Sequence, residues 1–365
     1  MVAGSHVTRV RPIAGRMSAL AETRVRPSGY AAIWIATGLL FALSPLLVSG
    51  SVDETALLAM LPFAAILAIA SIGQTLVIQQ RGLDLSVPGM ITLTAVLVTK
   101  YPNGDGGKLL GGIGLVVLAC VCSGVVSGIA ITRFGITPLV ATLGVNALLL
   151  GTVYQITGGT ATWSATNGLS SFSVDKTGGI PNTVIVAVLT VAAVAAAMRW
   201  TVAGRRFVAV GASPPAAFAA GIRVRDYQVA TYILASLSYG AAGILLAGFL
   251  RTPNIDAGNS YLLPTIAAVV LGGTSLAGGQ GSVVATAIGA LFLTQLEQLV
   301  LGLGGSESTK LIIQGSIIAL GMALRVIPWR KVWSTAVEMS WLVGSRLGSR
   351  SPAAGQPQVP EGGDQ

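Results

Sequence analysis

The sequence predicts an all-α polytopic membrane protein of about ten transmembrane helices, with both termini in the cytoplasm. Three observations predict it. Hydrophobic residues make up 53% of the 365 positions and charged ones only 10%, with a mean hydropathy of +0.77, whereas soluble domains carry about 25% charged residues. Apolar runs near the roughly 20 residues that cross a bilayer core as a helix recur along the chain. The basic residues fall between those runs and lie mostly on alternate connections, which is how a multi-span protein sets its orientation.

In chain order, residues 1–29 form a polar tail carrying Arg9, Arg11, Arg16, Arg24 and Arg26. The run that follows is long and further runs follow it, so it reads as an uncleaved first span rather than a secretory signal. The apolar runs place spans at 30–50, 56–79, 86–101, 109–132, 138–157, 182–200, 228–250, 262–276, 282–303 and 309–326. In the fourth, Gly124 and Gly128 make a small-xxx-small helix-packing pair, and Cys120 and Cys122 read as small apolar packing residues. Two spans, 86–101 and 262–276, are short. Each follows an aspartate (Asp84, Asp256) and they stand five spans apart, so an inverted five-plus-five repeat is expected. Residues 30–326 form one membrane domain, and 327–365, rich in Pro, Gly and Gln, read as a disordered cytoplasmic tail.

Charge tests the order. With the amino terminus inside, seventeen of the 22 basic residues lie on inner segments, and only Lys100, Lys108, Lys176, Arg251 and Lys310 lie on outer ones. That bias suits an even number of spans. It also explains the net charge of +9 without nucleic acid. The longest outer loop, 158–181, carries Trp163 and Phe172 and is either a solvated connector or a docking surface.

Three polar or glycine-rich segments carry the functional argument. In Gly82-Leu83-Asp84-Leu85-Ser86, an aspartate near bilayer depth costs about 3 kcal/mol at a helix centre, so it requires a partner or a helix end. Asp84 with Ser86 either caps the amides that open the 86–101 helix or lines a pathway, since irregular backbone at that depth is shielded by protein or faces a cavity. The second segment, Gly272-Gly273-Thr274-Ser275 through Gly278-Gly279-Gln280-Gly281-Ser282, is glycine-dense but lacks the lysine of a phosphate loop. It reads as a sharp helix break. The third is the connector 204–226, which Arg205, Arg206, Arg223 and Arg225 exclude from the membrane. Ser213 before Pro214-Pro215 starts a short helix, Ala216 and Ala217 continue it and Gly221 ends it.

These segments together resemble the permease subunits of ribose-type, or monosaccharide, ABC importers. The resemblance rests on Gly82 to Val87, on Thr142-Leu143-Gly144, on Ala209-Val210-Gly211 with Ala216-Ala217 and Gly221-Ile222, and on Ala267 through Ser282. It covers roughly 30–326; Pro88, Ser213 and the Pro214-Pro215 pair depart from the family pattern. It implies a bacterial cytoplasmic-membrane protein importing a monosaccharide-like solute as a homodimer or pseudo-symmetric pair. A separate cytoplasmic ATPase would bind the ATP, so this chain holds no cofactor, and an extracytoplasmic solute-binding protein would deliver the cargo. Gly211, Ser213, Ala216, Ala217, Gly221 and Ile222 would then belong to the helix that couples to the ATPase. Gly82, Asp84, Ser86, Thr142, Gly272, Gly273, Thr274, Ser275, Gly278, Gly279 and Gly281 would line the pathway or break helices.

Two other solutes, a nucleoside or a quorum-sensing sugar derivative, fit the same residues. An ion-coupled secondary transporter needs charge inside the membrane, and Glu297, with Gln295 and Gln298 beside it, stands toward the outer end of its span. Enzymatic chemistry has little to use: the one histidine, His6, is in the tail, and no metal-ligand cluster accompanies the two cysteines.

Overall fold

The computed structural model describes residues 28–326. The basic tail and the tail after 326 therefore lie almost wholly outside the described residues. The helices, in order, are α1 (Ser28–Leu47), α2 (Glu54–Gln79), α3 (Val87–Lys100), α4 (Leu109–Thr132), α5 (Pro138–Thr157), α6 (Asn167–Val174), α7 (Asn182–Trp200), α8 (Val202–Ala212), α9 (Pro214–Ala219), α10 (Val224–Leu250), α11 (Leu262–Leu271), α12 (Val283–Gly302) and α13 (Glu307–Val326). One small departure from an all-helical chain is a hairpin, β1 (Lys176–Thr177) paired with β2 (Ile180–Pro181). The described residues up to Ile318 belong to one compact unit, and only the end of α13 lies beyond it.

Among the described residues, seven helices are long and apolar enough to cross a membrane: α1, α2, α4, α5, α7, α10 and α12, with α4 counted from Gly106. The helices α3 and α11 are apolar but shorter. The apolar pattern alone does not say which spans are central, but burial does. In α2, 67% of the apolar window is buried, and in α10 and α12 56%, against 17% in α1 and α7. So α2, α10 and α12 form the centre and α1 and α7 the edge.

Close approach at the centre needs small residues, because helix association in lipid relies on packing rather than on exclusion of water. Gly124 faces the backbone of Ile233 and Gly128 faces Val229, so α4 packs backbone to backbone on α10. Buried polar side chains then tie the helices together. Tyr239 of α10 donates to Gln74 Oε1 of α2 at 3.1 Å, Thr75 of α2 donates to Thr286 of α12 at 3.0 Å, and Gln295 of α12 donates to Ser44 of α1 at 3.0 Å. Each such bond contributes about 0.6 kcal/mol on average in a membrane. Their effect is to fix which helix faces which.

The 158–181 segment is half folded rather than a plain solvated connector. Thr166 caps α6 through the Leu169 amide. Leu169, Ser170 and Ser173 are buried, with Gly248 of α10 so close to Leu169 and Ser173 that any side chain there would collide. Trp163 stacks under the Lys100 ammonium at 4.3 Å, and Phe172 stays exposed.

Candidate functional site

The connector forms two helices where the sequence argument expects one. Thr201 opens α8 by accepting from the Gly204 amide at 3.0 Å. Phe207, Val210 and Gly211 turn inward while Arg205 and Arg206 remain exposed. A threonine before a Phe207–Val210 spacing of three is the signal that reveals this helix in the sequence. Ser213 then caps α9 through the Ala216 amide at 3.4 Å. Gly221, at φ +77°, closes α9 with two bonds, Gly221 N–H to Phe218 O at 2.9 Å and Ile222 N–H to Ala217 O at 3.0 Å.

The six residues assigned to coupling do not share one surface. Gly211 and Ala217 are buried, Ser213 and Ile222 are half-buried, and Ala216 and Gly221 are exposed. Gly211 sits against the Gln79 carbonyl and the Gly279 amide, leaving no room for a Cβ. It is pressed onto the chain's own α2 and α11–α12 turn. The exposed crest of α9 is instead Phe218, 76% exposed and surrounded by Pro215, Ala216, Ala219 and Ala220. An aromatic between pairs of alanines was the available signal. Beside this crest lies a recess of about 600 Å³ walled by Arg206, Ile222, Arg223, Asp226 and Tyr227.

The 272–282 segment joins the same place. Gly273 (φ +89°) ends α11, and Ser282 starts α12 by accepting from the Ala285 amide at 3.2 Å. Gly278 packs against Arg81 and Gly279 against Ala212, and each also has positive φ. The Gly279 amide donates to Gln79 O at 2.8 Å. Gly272 lies against the backbone of Ala285 and Thr286, and Gly281 against Gln79 and the buried Thr274. Ser275 closes the turn by donating its amide to Gln280 O at 2.9 Å.

Asp84 is fully buried, and of the amides that open the expected 86–101 helix it takes that of Ser86, just ahead of α3. Its Oδ1 accepts from the Ser86 amide at 2.8 Å and the Ser86 hydroxyl at 2.6 Å, with Tyr239 against it. Because Ser86 is held at helical φ and ψ, the carboxylate shapes the turn before the helix. The α3 entry is satisfied from α5. Thr142 Oγ1 accepts from the Leu85 amide at 2.9 Å, and Asn146 Oδ1 accepts from the Gly89 amide at 2.8 Å. Asn146 escaped the sequence argument, although it lies one turn after Thr142 and so on the same helix face. Gly82 lies against Tyr232 and Val77. From the other side, the Gly258 amide donates to Thr92 Oγ1 at 3.0 Å, so the irregular stretch before α11 touches the first turns of α3.

At the far ends of α2, α10 and α12 lies a cavity of about 590 Å³, whose lining includes Phe63, Asp256, Tyr261, Glu297, Gln298 and Lys310. Lys310 holds Glu297 at 2.5 Å and Glu307 at 2.9 Å. Among the described residues there is no cluster of three or more potential metal ligands.

Residues 56–322, well over half of the chain, match the family described as branched-chain amino acid transport system / permease component. The chain is 34% identical over 269 residues to the ribose import permease protein RbsC of Bacillus subtilis, covering 71% of this chain and 81% of that one. This chain belongs to the ABC importer permeases. The permease is also 30% identical over 228 residues to the galactose/methyl galactoside import permease protein MglC of Haemophilus influenzae, covering 59% of this chain and 68% of that one. To the autoinducer 2 import system permease protein LsrD of Photorhabdus luminescens it is 29% identical over 267 residues, covering 72% and 80%. No solved structure matches it. The permease is thus a multi-pass membrane protein and a non-catalytic transport subunit.

Proposed function

We propose that this permease imports a monosaccharide-like solute, driven by a separate ATPase that seats on α9 and supplied by an extracytoplasmic binding protein. The observation that carries the mechanism is α9 itself. It is a short helix with an exposed aromatic crest, rooted through Gly211 in the end of α2 and the α11–α12 turn. A push on it reaches two of the central helices, α2 and α12. ATP belongs to the partner, since the glycine-rich turn has no lysine.

Relatives at about 30% identity, whose names specify ribose and galactose, support this class of solute. The cavity near Glu297 supports it: carboxylates, amides and Lys310 suit hydroxyl groups, and Phe63 and Tyr261 offer ring faces. A sugar-derived signalling molecule is the second reading, favoured by the autoinducer 2 relative. Large apolar side chains exposed along α4, α5 and α7, such as Leu118, Leu148 and Leu189, are available to lipid and to a second permease copy.

The ten-span topology counts α3, α11 and α13 with the seven long helices. An inverted repeat would pair α2 with α10, α3 with α11 and α4 with α12. Two features support it: α4 packs on α10 as α12 packs on α2, and both short helices follow irregular segments, the one before α11 meeting α3 itself through Gly258 and Thr92. Such broken helices with converging starts suit a transporter site.

The deciding experiment is uptake into proteoliposomes holding the permease, its ATPase and its binding protein, across a panel of radiolabelled ribose, galactose, nucleosides and autoinducer 2. ATP-dependent uptake of a pentose or hexose is expected. Uptake of nucleosides alone, or uptake driven by an ion gradient without ATP, refutes the reading.

A further inference from the structure

We propose that Arg81 is a positioning residue that transmits movement of the α8–α9 segment to residues 82–86 and hence to α3. This rests on the reading that an ATPase seats on α9.

The evidence begins with three helix ends built alike. At α11, Gly273 N–H bonds Val270 O at 3.1 Å and Thr274 N–H bonds Val269 O at 3.2 Å. At α9, Gly221 and Ile222 repeat the pattern. At α2, Arg81 N–H bonds Ile78 O at 2.9 Å and Gly82 N–H bonds Val77 O at 3.0 Å. The motif requires a left-handed residue after the cap, which is usually glycine. Two of the ends have glycine there, at φ +89° and +77°, and the third has Arg81 at φ +65°. A long side chain in that conformation is disfavoured and points to a gain elsewhere.

The gain is visible in its contacts. Arg81 Nε donates to Gly211 O at 2.8 Å, and its Nη2 donates to Ala212 O. Those are the last carbonyls of α8, which lack partners within the helix, and a cation there also suits the helix dipole. The neighbouring residues add to the joint: Gln80 Nε2 donates to Phe207 O at 2.8 Å, and Gln79 O accepts from Gly279 N–H.

What separates Arg81 from its neighbours is where the chain goes next. Residues 82–86 follow at once, hold the buried Asp84–Ser86 pair, and lead into α3. Arg81 therefore joins the α8 terminus, which carries α9, to the entry of a short helix whose first amides are held from α5 and which packs along its length on α10, α4 and α5.

The test is Arg81→Gly in proteoliposomes containing the full transporter. Glycine suits φ +65°, so α2 keeps its end while both side-chain bonds disappear. Insertion, ATPase co-purification and thermal stability should stay at wild-type levels, while solute moved per ATP hydrolysed falls about fivefold or more, the lower range of measured couplings. Arg81→Lys, which retains the charge but not the fork reaching two carbonyls, should fall in between. Unchanged solute per ATP in Arg81→Gly overturns the proposal and leaves the functional reading intact. A loss of thermal stability that tracks the loss of transport assigns Arg81 a merely structural role and also overturns it. If the wild-type permease binds no ATPase, the functional reading fails and this inference fails with it.

Discussion

Replacing Phe218 by alanine should weaken ATPase docking while leaving the permease itself undisturbed. The side chain is 76% exposed, and the hydrogen bond at its position, Gly221 N–H to Phe218 O, uses only backbone. Fully burying a phenylalanine is worth about 1.5–3 kcal/mol. Scaled to the fraction still exposed, covering Phe218 in a partner's groove gains about 1–2 kcal/mol. At about 1.4 kcal/mol per factor of ten, truncation should raise the dissociation constant about 5- to 30-fold. Stability of the isolated permease should change by no more than about 0.5 kcal/mol, as is usual for exposed positions. The assay is titration of the ATPase onto permease held in nanodiscs, with thermal unfolding measured in parallel. ATPase affinity equal to wild type would show that α9 does not dock through its crest and would sink the argument.

Three further outcomes are expected. Gly211→Ala should destabilise the permease even without ATPase, because the added methyl meets the Gln79 carbonyl; a penalty of about 1–3 kcal/mol is usual for overpacking, and an unshifted unfolding midpoint in detergent would contradict the packing. Asn146→Ala leaves the Gly89 amide without its acceptor, a loss of about 1–3 kcal/mol for a buried group, and hydrogen exchange of residues 85–90 should accelerate; unchanged exchange would show that α3 does not depend on α5. In a background lacking Cys120 and Cys122, single cysteines at Asn103 and Ser306 should react with an impermeant reagent from outside, and those at Ala216 and Ala277 should not. Labelling of Ala216 from outside would reverse the proposed orientation.

How much was legible in the sequence varies with the kind of signal. The membrane helices were readable because lipid demands long apolar runs with internally satisfied backbone, and α1 to α5, α7 and α10 to α13 lie within or near the runs, whereas α6 and α8 fall outside them. Local end signals were also readable: Ser213, Gly221, Gly273 and Ser282 act within a few residues of themselves. What escaped were contacts between segments distant in the chain. Asn146 serves Gly89 from 57 positions away, and Arg81 reaches Gly211 across 130; no local pattern encodes either. Gly211 belongs with them: its place in a small-residue segment does not reveal that it sits against the Gln79 carbonyl and the Gly279 amide.

The short helices also explain why these distant contacts matter. A long membrane helix satisfies its own amides over most of its length, and only its ends need help. The 14-residue α3 and the 10-residue α11 are nearly all ends by comparison. The α3 entry takes an acceptor from Thr142 and another from Asn146, while Gly258, ahead of α11, takes one from Thr92 of α3. Asp84 holds the turn between α2 and α3, at a burial penalty that the Ser86 amide and hydroxyl offset in part. Neither short helix is therefore positioned by its own sequence alone. Each follows whichever neighbours hold its ends, so a displacement of α2 or α5 shifts α3, and α3 in turn shifts the segment before α11. That dependence lets a push on one small helix redirect the interior without unfolding any long one. If it holds, Asn146→Ala should reduce transport by the wild-type ATPase as well as loosening α3, whereas transport that survives the accelerated exchange would separate the two short helices from the path of the push.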